Sequence, residues 1–183
     1  KKFPVENLQI VVEPGGYGPN AVVMGYVSRG ENPAVHLLIN ERKHKIFAND
    51  SILIHELSHL LLPKVNMDEP WLTEGLATYY EHLLLARGKI KSSSEIIKLF
   101  AIKFELARQS GENQPLAQIS PTRSFSFGRD QVYWGGASIF FVADVNLRKK
   151  TNGLMSLDTI LMKFMDCCAK NRTSWSALEL FEV

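Results

Sequence analysis

The chain has 183 residues, 45% of them hydrophobic, with 21 basic against 19 acidic side chains and a net charge of +2. That apolar content can bury a proper core, so one compact domain over residues 1–183 is expected. The balanced charge argues against nucleic acid as a partner, and no run of about 18 apolar residues is present to span a membrane.

Residues 8–12, 21–28 and 34–40 are rich in Val, Ile and Leu and bounded by Pro and Gly, which predicts three strands. If the last of them lies at a sheet edge beside a cleft, it could take an extended peptide by strand addition. Gly15-Gly16-Tyr17-Gly18-Pro19 between the first two is a turn. It is not a phosphate loop, because it lacks the Lys-Ser/Thr pair and a following helix.

Ser51-Ile52-Leu53-Ile54 opens a helix, with Asn49, Asp50 or Ser51 as N-cap and Pro63 beyond its end. In its middle stand His55-Glu56-Leu57-Ser58-His59. Positions i and i+4 of a helix share a face, so His55 and His59 can offer ring nitrogens to one ion, while Glu56 lies beside them and turned from ligation. This is the His-Glu-x-x-His pattern of a zinc site whose glutamate is the general base. A mostly buried helix has little other use for these groups, since an unpartnered buried carboxylate is costly.

Asp68-Glu69-Pro70-Trp71 then suits a helix start, with an acidic cap and a proline in the first turn. Glu74 lies early in that helix, with 14 residues between it and His59, which leaves room for a turn that lays the second helix on the first. Two histidines and one carboxylate leave a coordination position open, as a catalytic Zn²⁺ site requires. Thr78 and Glu81, one and two turns further on, could orient a ligand or simply face solvent.

Beyond Gly88 the pattern is helical. Ser92 with Glu95 has capping-box spacing, and Ile96, Ile97, Phe100 and Phe104 recur at helical intervals to near Gln109. Residues 111–128 read as a loop that could wall or cover a cleft. Helices are predicted over about 130–150, from 157 to near 169, and from about 174 to the end. Two glycines together, Gly135-Gly136, inside the first of these suggest close backbone approach.

His-Glu-Leu-Ser-His (residues 55–59) followed by Trp71-Leu72-Thr73-Glu74-Gly75-Leu76-Ala77-Thr78-Tyr79-Tyr80-Glu81 resembles the gluzincin metallopeptidases, especially the glycyl aminopeptidase and aminopeptidase N families. Tyr133-Trp134-Gly135-Gly136-Ala137, the run 141–148 and Ser156-Leu157-Asp158 are similar to later blocks of that family. Gly135 stands where the family has a lysine. The resemblance covers roughly residues 50–165 and implies a zincin-like α+β fold, with a sheet and zinc helix in residues 1–65 and a mostly helical lobe in 66–183. It also implies that Tyr133 donates to the oxyanion of a tetrahedral intermediate, a role a phenol suits because it stays protonated at neutral pH.

The expectation is therefore zinc-dependent hydrolysis of a peptide or protein substrate, with His55, His59 and Glu74 on Zn²⁺ and Glu56 and Tyr133 catalytic. The alternative is a peptide-binding module that keeps the fold and loses turnover. Gly30-Glu31-Asn32 partly matches the amine-binding loop of aminopeptidase N but lacks its methionine, so Glu31 is read as a loop residue, and exopeptidase or endopeptidase action is open. The resemblance favours an exported, periplasmic or extracellular protein. A start without methionine and a helical-looking end suggest a piece of a longer chain. His36, His44 and His82 are expected at the surface or behind the site, and the adjacent Cys167 and Cys168 are read as small packing residues.

Overall fold

The computed structural model describes residues 4–30, 32–46, 51–110, 115–118, 128–168 and 174–182, apart from the side chains of 44–46. Glu31, Asn49, Asp50, the His44 side chain and most of the loop over 111–128 lie outside them.

Three strands, β1 (Gln9–Pro14), β2 (Val22–Ser28) and β3 (Ala34–Ile39), form one mixed sheet in the order β1-β3-β2. β3 runs parallel to β1 and antiparallel to β2. The last strand is thus central, and β2 is the edge strand on the other side from β1. The condition for strand addition on the third strand, that it lie at a sheet edge, is therefore not met. Val22, Val35 and Leu37 are fully buried on one face, packed by Ile52, Leu53 and Leu57 of α1 (Ser51–His59). On the opposite face Tyr26 stacks on His36 with ring centroids 4.4 Å apart.

Regular α1 stops at His59, four residues before Pro63, and three tighter bonds carry the chain round: Leu60 N to Leu57 O, Leu61 N to Ser58 O and Leu62 N to His59 O. Arg29, just after β2, donates to the His59 and Leu62 carbonyls. A cation at the negative end of the helix gives its last carbonyls a charged donor and ties the sheet to α1.

The second helix, α2 (Pro70–Arg87), begins with Pro70 in its first turn, as expected. Its preceding Glu69 does not cap it. That carboxylate accepts instead from Ala177 N at 2.7 Å, at the start of α6 (Ala177–Phe181). Then come α3 (Ser93–Ser110), a π-helical turn Gln131–Gly135, α4 (Gly136–Lys150) and α5 (Leu157–Cys168). The Ser92–Glu95 capping box is formed, with Glu95 N 3.2 Å from Ser92 Oγ and Ser92 N 2.8 Å from Glu95 Oε2. Leu72, Leu76, Tyr79, Tyr80, Phe100, Ala137, Phe140 and Leu161 make the helical core.

That core carries buried polar ties. Tyr79 donates to Asp144 Oδ2 at 2.8 Å, and Leu157 N to Asp144 Oδ1 at 2.6 Å; Tyr80 donates to Asp158 Oδ1 at 2.7 Å. Asp144 is 3% exposed and also accepts from Arg148, so its charge is buried but paired. At the end of α5 the sulfurs of Cys167 and Cys168 are joined in a disulfide, where the sequence suggests separate packing thiols. Cys168 is nonetheless buried and Cys167 exposed. The architecture is an N-terminal mixed sheet followed by a largely helical region, a zincin-like α+β fold.

Candidate metal centre

The site forms where α1 crosses α2. His55 and His59 project from one face of α1, as their spacing requires, and Glu74 rises from the second turn of α2 to meet both. His55 Nε2 lies 3.1 Å and His59 Nε2 3.6 Å from Glu74 Oε2. All three ligand atoms fall within 4.8 Å of one another. Atoms bound at ~2.0–2.1 Å around a tetrahedral ion are separated by roughly 3.3–3.4 Å, so these two distances bracket what a metal would impose. The donor set also fits: two imidazole nitrogens and a carboxylate suit Zn²⁺ and other divalent metals.

Glu81 completes the surroundings of His55. Its Oε2 lies 3.1 Å from His55 Nδ1, so it can hold a proton on Nδ1 and leave Nε2 as the nitrogen offered to a metal. Glu74, Thr78 and Glu81 fall at i, i+4 and i+7 and share one face of α2. Of the two residues weighed as orienting groups, Glu81 is in contact with His55. Thr78 is 3% exposed and lines the cleft, and its hydroxyl has no hydrogen-bond partner among the described residues.

Electrostatics divide the two imidazoles. Burial works against a charged His55, yet its hydrogen bonds to Glu74 and Glu81 and their charges outweigh it and hold the ring up at about 10. Burial pulls His59 down to about 4. Burial would raise Glu74, but its bond to His55 and the two nearby imidazoles hold it below its usual value. A protonated His55 therefore bridges Glu74 and Glu81 at the place a metal cation would take. Glu56, 7% exposed, is pushed by burial up to about 7, suited to exchanging a proton near neutrality.

Tyr133, in the π-helical turn, stacks on His55 with ring centroids 5.8 Å apart and hydrogen-bonds Glu74. Burial and the Glu74 carboxylate raise its pKa well above the ordinary phenol value, so it remains a donor. The residue pattern predicts one continuous helix over 130–150. The structure widens its first turn, as helices often do at functional sites. Immediately after that turn, Gly136 lies against the Trp71 carbonyl and Gly75 of α2. Close approach thus falls on Gly136, while Gly135 faces Leu116.

A cleft of about 1000 Å³ opens over these groups, walled on one side by Val23, Met24, Gly25, Tyr26 and Val27 of β2. Gly25 carries no Cβ for a reason: one built there would sit 2.5 Å from Glu56 Cγ and 3.0 Å from its carboxyl carbon. Neither Gly25 nor the Arg29 anchor carries a sequence signal, because each depends on which strand lies beside the zinc-motif helix. His82 is buried at 6% exposure and lines the cleft, its Nδ1 3.0 Å from Thr78 O, so it is not a surface residue. Glu31 lies outside the described residues.

No family model matches the chain, and no curated protein sequence matches it. Among solved structures it is similar to an aminopeptidase N family protein from Idiomarina loihiensis, with a TM-score of 0.70 and 15% identity. The likeness covers 98% of this chain and 35% of that one. At such identity the likeness is one of fold. The chain thus combines a zincin-like α+β fold with a His55, His59 and Glu74 cluster able to hold a divalent metal.

Proposed function

We propose that this domain hydrolyses peptide bonds with a zinc ion held by His55, His59 and Glu74. The observation that carries the reading is the convergence of these three ligand atoms within 4.8 Å, with Glu56 and Tyr133 lining the same cleft. When bound, zinc supplies Lewis acidity for a carbonyl and acidifies water. Glu56 accepts the proton of the attacking water and passes it to the leaving amine, a duty suited to a carboxylate poised near 7. The Tyr133 hydroxyl, now bonded to Glu74, donates to the oxyanion as it develops. Glu81 keeps the proton of His55 on Nδ1. The backbone of edge strand β2 offers an extended substrate hydrogen bonds along the cleft wall, which favours a peptide.

Metal analysis should find near-stoichiometric zinc in the parent protein and a large loss in His59→Ala; equal content in both would sink the ligand assignment. Glu56→Gln should keep zinc and fold yet abolish hydrolysis of a broad peptide library, and Tyr133→Phe should lower turnover by about 10²-fold with zinc retained. Undiminished turnover in Glu56→Gln would overturn the mechanism. Zinc and peptide binding without turnover in the parent would favour the binding module instead.

A further inference from the structure

Three cations line the cleft: Arg29, Lys64 and Arg129. Arg29 is committed to the carbonyls at the end of α1. Lys64 sits beside Val65, in the segment tied to Trp175. Arg129 differs from both. It lies one turn before Tyr133, and its guanidinium carbon stands 5.3 Å from the centre of the Tyr133 ring. Among the described residues no carboxylate or carbonyl accepts from it, not even the neighbouring Asp130, although it borders the same cleft. Contact with an aromatic face holds a guanidinium in place and leaves its edge, with five N–H donors, free for a planar anion.

The other charges of the cleft leave this role open. Glu74 and Glu81 are engaged by His55, and Glu56 is buried against β2. An extended peptide advances about 3.3–3.6 Å per residue. With its scissile carbonyl at the Tyr133 hydroxyl, a carboxylate one residue away falls within reach of a group poised over that ring. We propose that Arg129 is a specificity-determining residue that binds a substrate carboxylate next to the scissile bond, so that the domain selects peptides acidic at that point. The inference rests on the hydrolytic reading for the position of the scissile bond. The carboxylate is either an Asp or Glu side chain or the free C-terminus of the peptide, since both offer two oxygens to the fork.

The test uses zinc-loaded protein and acetylated peptides that differ only at the residue beside the cleaved bond, as Glu, Gln or Lys, together with a pair ending there in a free carboxylate or an amide. Steady-state kinetics on the parent and calorimetric dissociation constants on Glu56→Gln are read in parallel. The parent should prefer one carboxylate form over its neutral counterpart by about tenfold or more, in KM and Kd rather than kcat. Adding Arg129→Gln should bring that ratio near one, while Arg129→Lys retains part of it. A preference that follows Glu over Gln assigns the side chain as the source; one that follows acid over amide assigns the C-terminus. An unchanged ratio in Arg129→Gln, or a parent preference for Gln or Lys, overturns the proposal even if peptides are cleaved. Discrimination in Kd without any cleavage keeps Arg129 and removes the hydrolytic reading. Absence of both binding and cleavage removes both.

Discussion

Gly25 links a backbone to the proposed general base, Glu56. Any side chain there must displace Glu56, whose Cγ would lie 2.5 Å from the new Cβ, and a buried side chain pinned between β2 and α1 has few other rotamers. Gly25→Ala should therefore resemble Glu56→Gln: zinc stays bound and kcat falls, with fold and secondary structure retained by circular dichroism. Full activity in Gly25→Ala would mean that Glu56 is not held where the mechanism needs it. The His55, His59 pair was legible in the residues because helix geometry is local. Glu74 could be read because two helices in close succession leave few ways to bring a carboxylate back, and Tyr133 only through resemblance, since a lone tyrosine 77 positions beyond Glu56 has no spacing rule to identify it. Gly25 was not legible, because its role belongs to a contact between elements.

Helices α2 and α4 meet through glycine. A Cβ on Gly75 would lie 2.6 Å from the Gly136 backbone, and one on Gly136 would collide with the Trp71 carbonyl. The helices can cross this closely only where both lack side chains, and that crossing sets Tyr133, just before it, above His55. Neither neighbour is a flexible side-chain tip, so Gly136→Ala must push the helices apart. The expected cost is about 1–3 kcal/mol, a fall in Tm of roughly 2–4 °C for each kcal/mol, with a larger proportional loss of activity as Tyr133 moves. Thermal melts and peptide hydrolysis measured side by side check this, and an unchanged melting temperature would show the crossing to be slack. Strand order was the element-scale feature least visible in advance. Ala34-Val35-His36-Leu37-Leu38-Ile39 is an almost unbroken apolar run, as suits a central strand, whereas β2 alternates and sets Gly25 against Glu56. The pattern held the distinction, but the proximity of β3 to the zinc motif in sequence pointed to it as the cleft wall.

Across the whole molecule, the metal position is also a joint between two cores. His55 and His59 belong to the helix that covers the sheet, and Glu74 and Glu81 to the first helix of the helical core, so an ion there ties one to the other. Without it, His55 bridges Glu74 and Glu81 as a cation. Its pKa, raised from 6.5 to about 10, means that this bridge contributes stability in full below about pH 6.5 and loses it as pH climbs through about 10. Metal must evict that proton to reach Nε2, while His59, pulled down to about 4, is already neutral. Zinc uptake near pH 7 should accordingly release about one proton, and the apparent affinity should strengthen roughly tenfold per pH unit on rising from 6 to 8. Calorimetric titrations at fixed pH in buffers of different ionisation enthalpy measure the proton count directly. His55→Ala should abolish both the release and tight binding, and Glu81→Gln, which removes one of the two carboxylates that hold the proton on His55, should reduce the release. Zinc binding with no proton released at pH 7 would show that His55 is neutral in the free protein and that its two carboxylate neighbours do not govern the site.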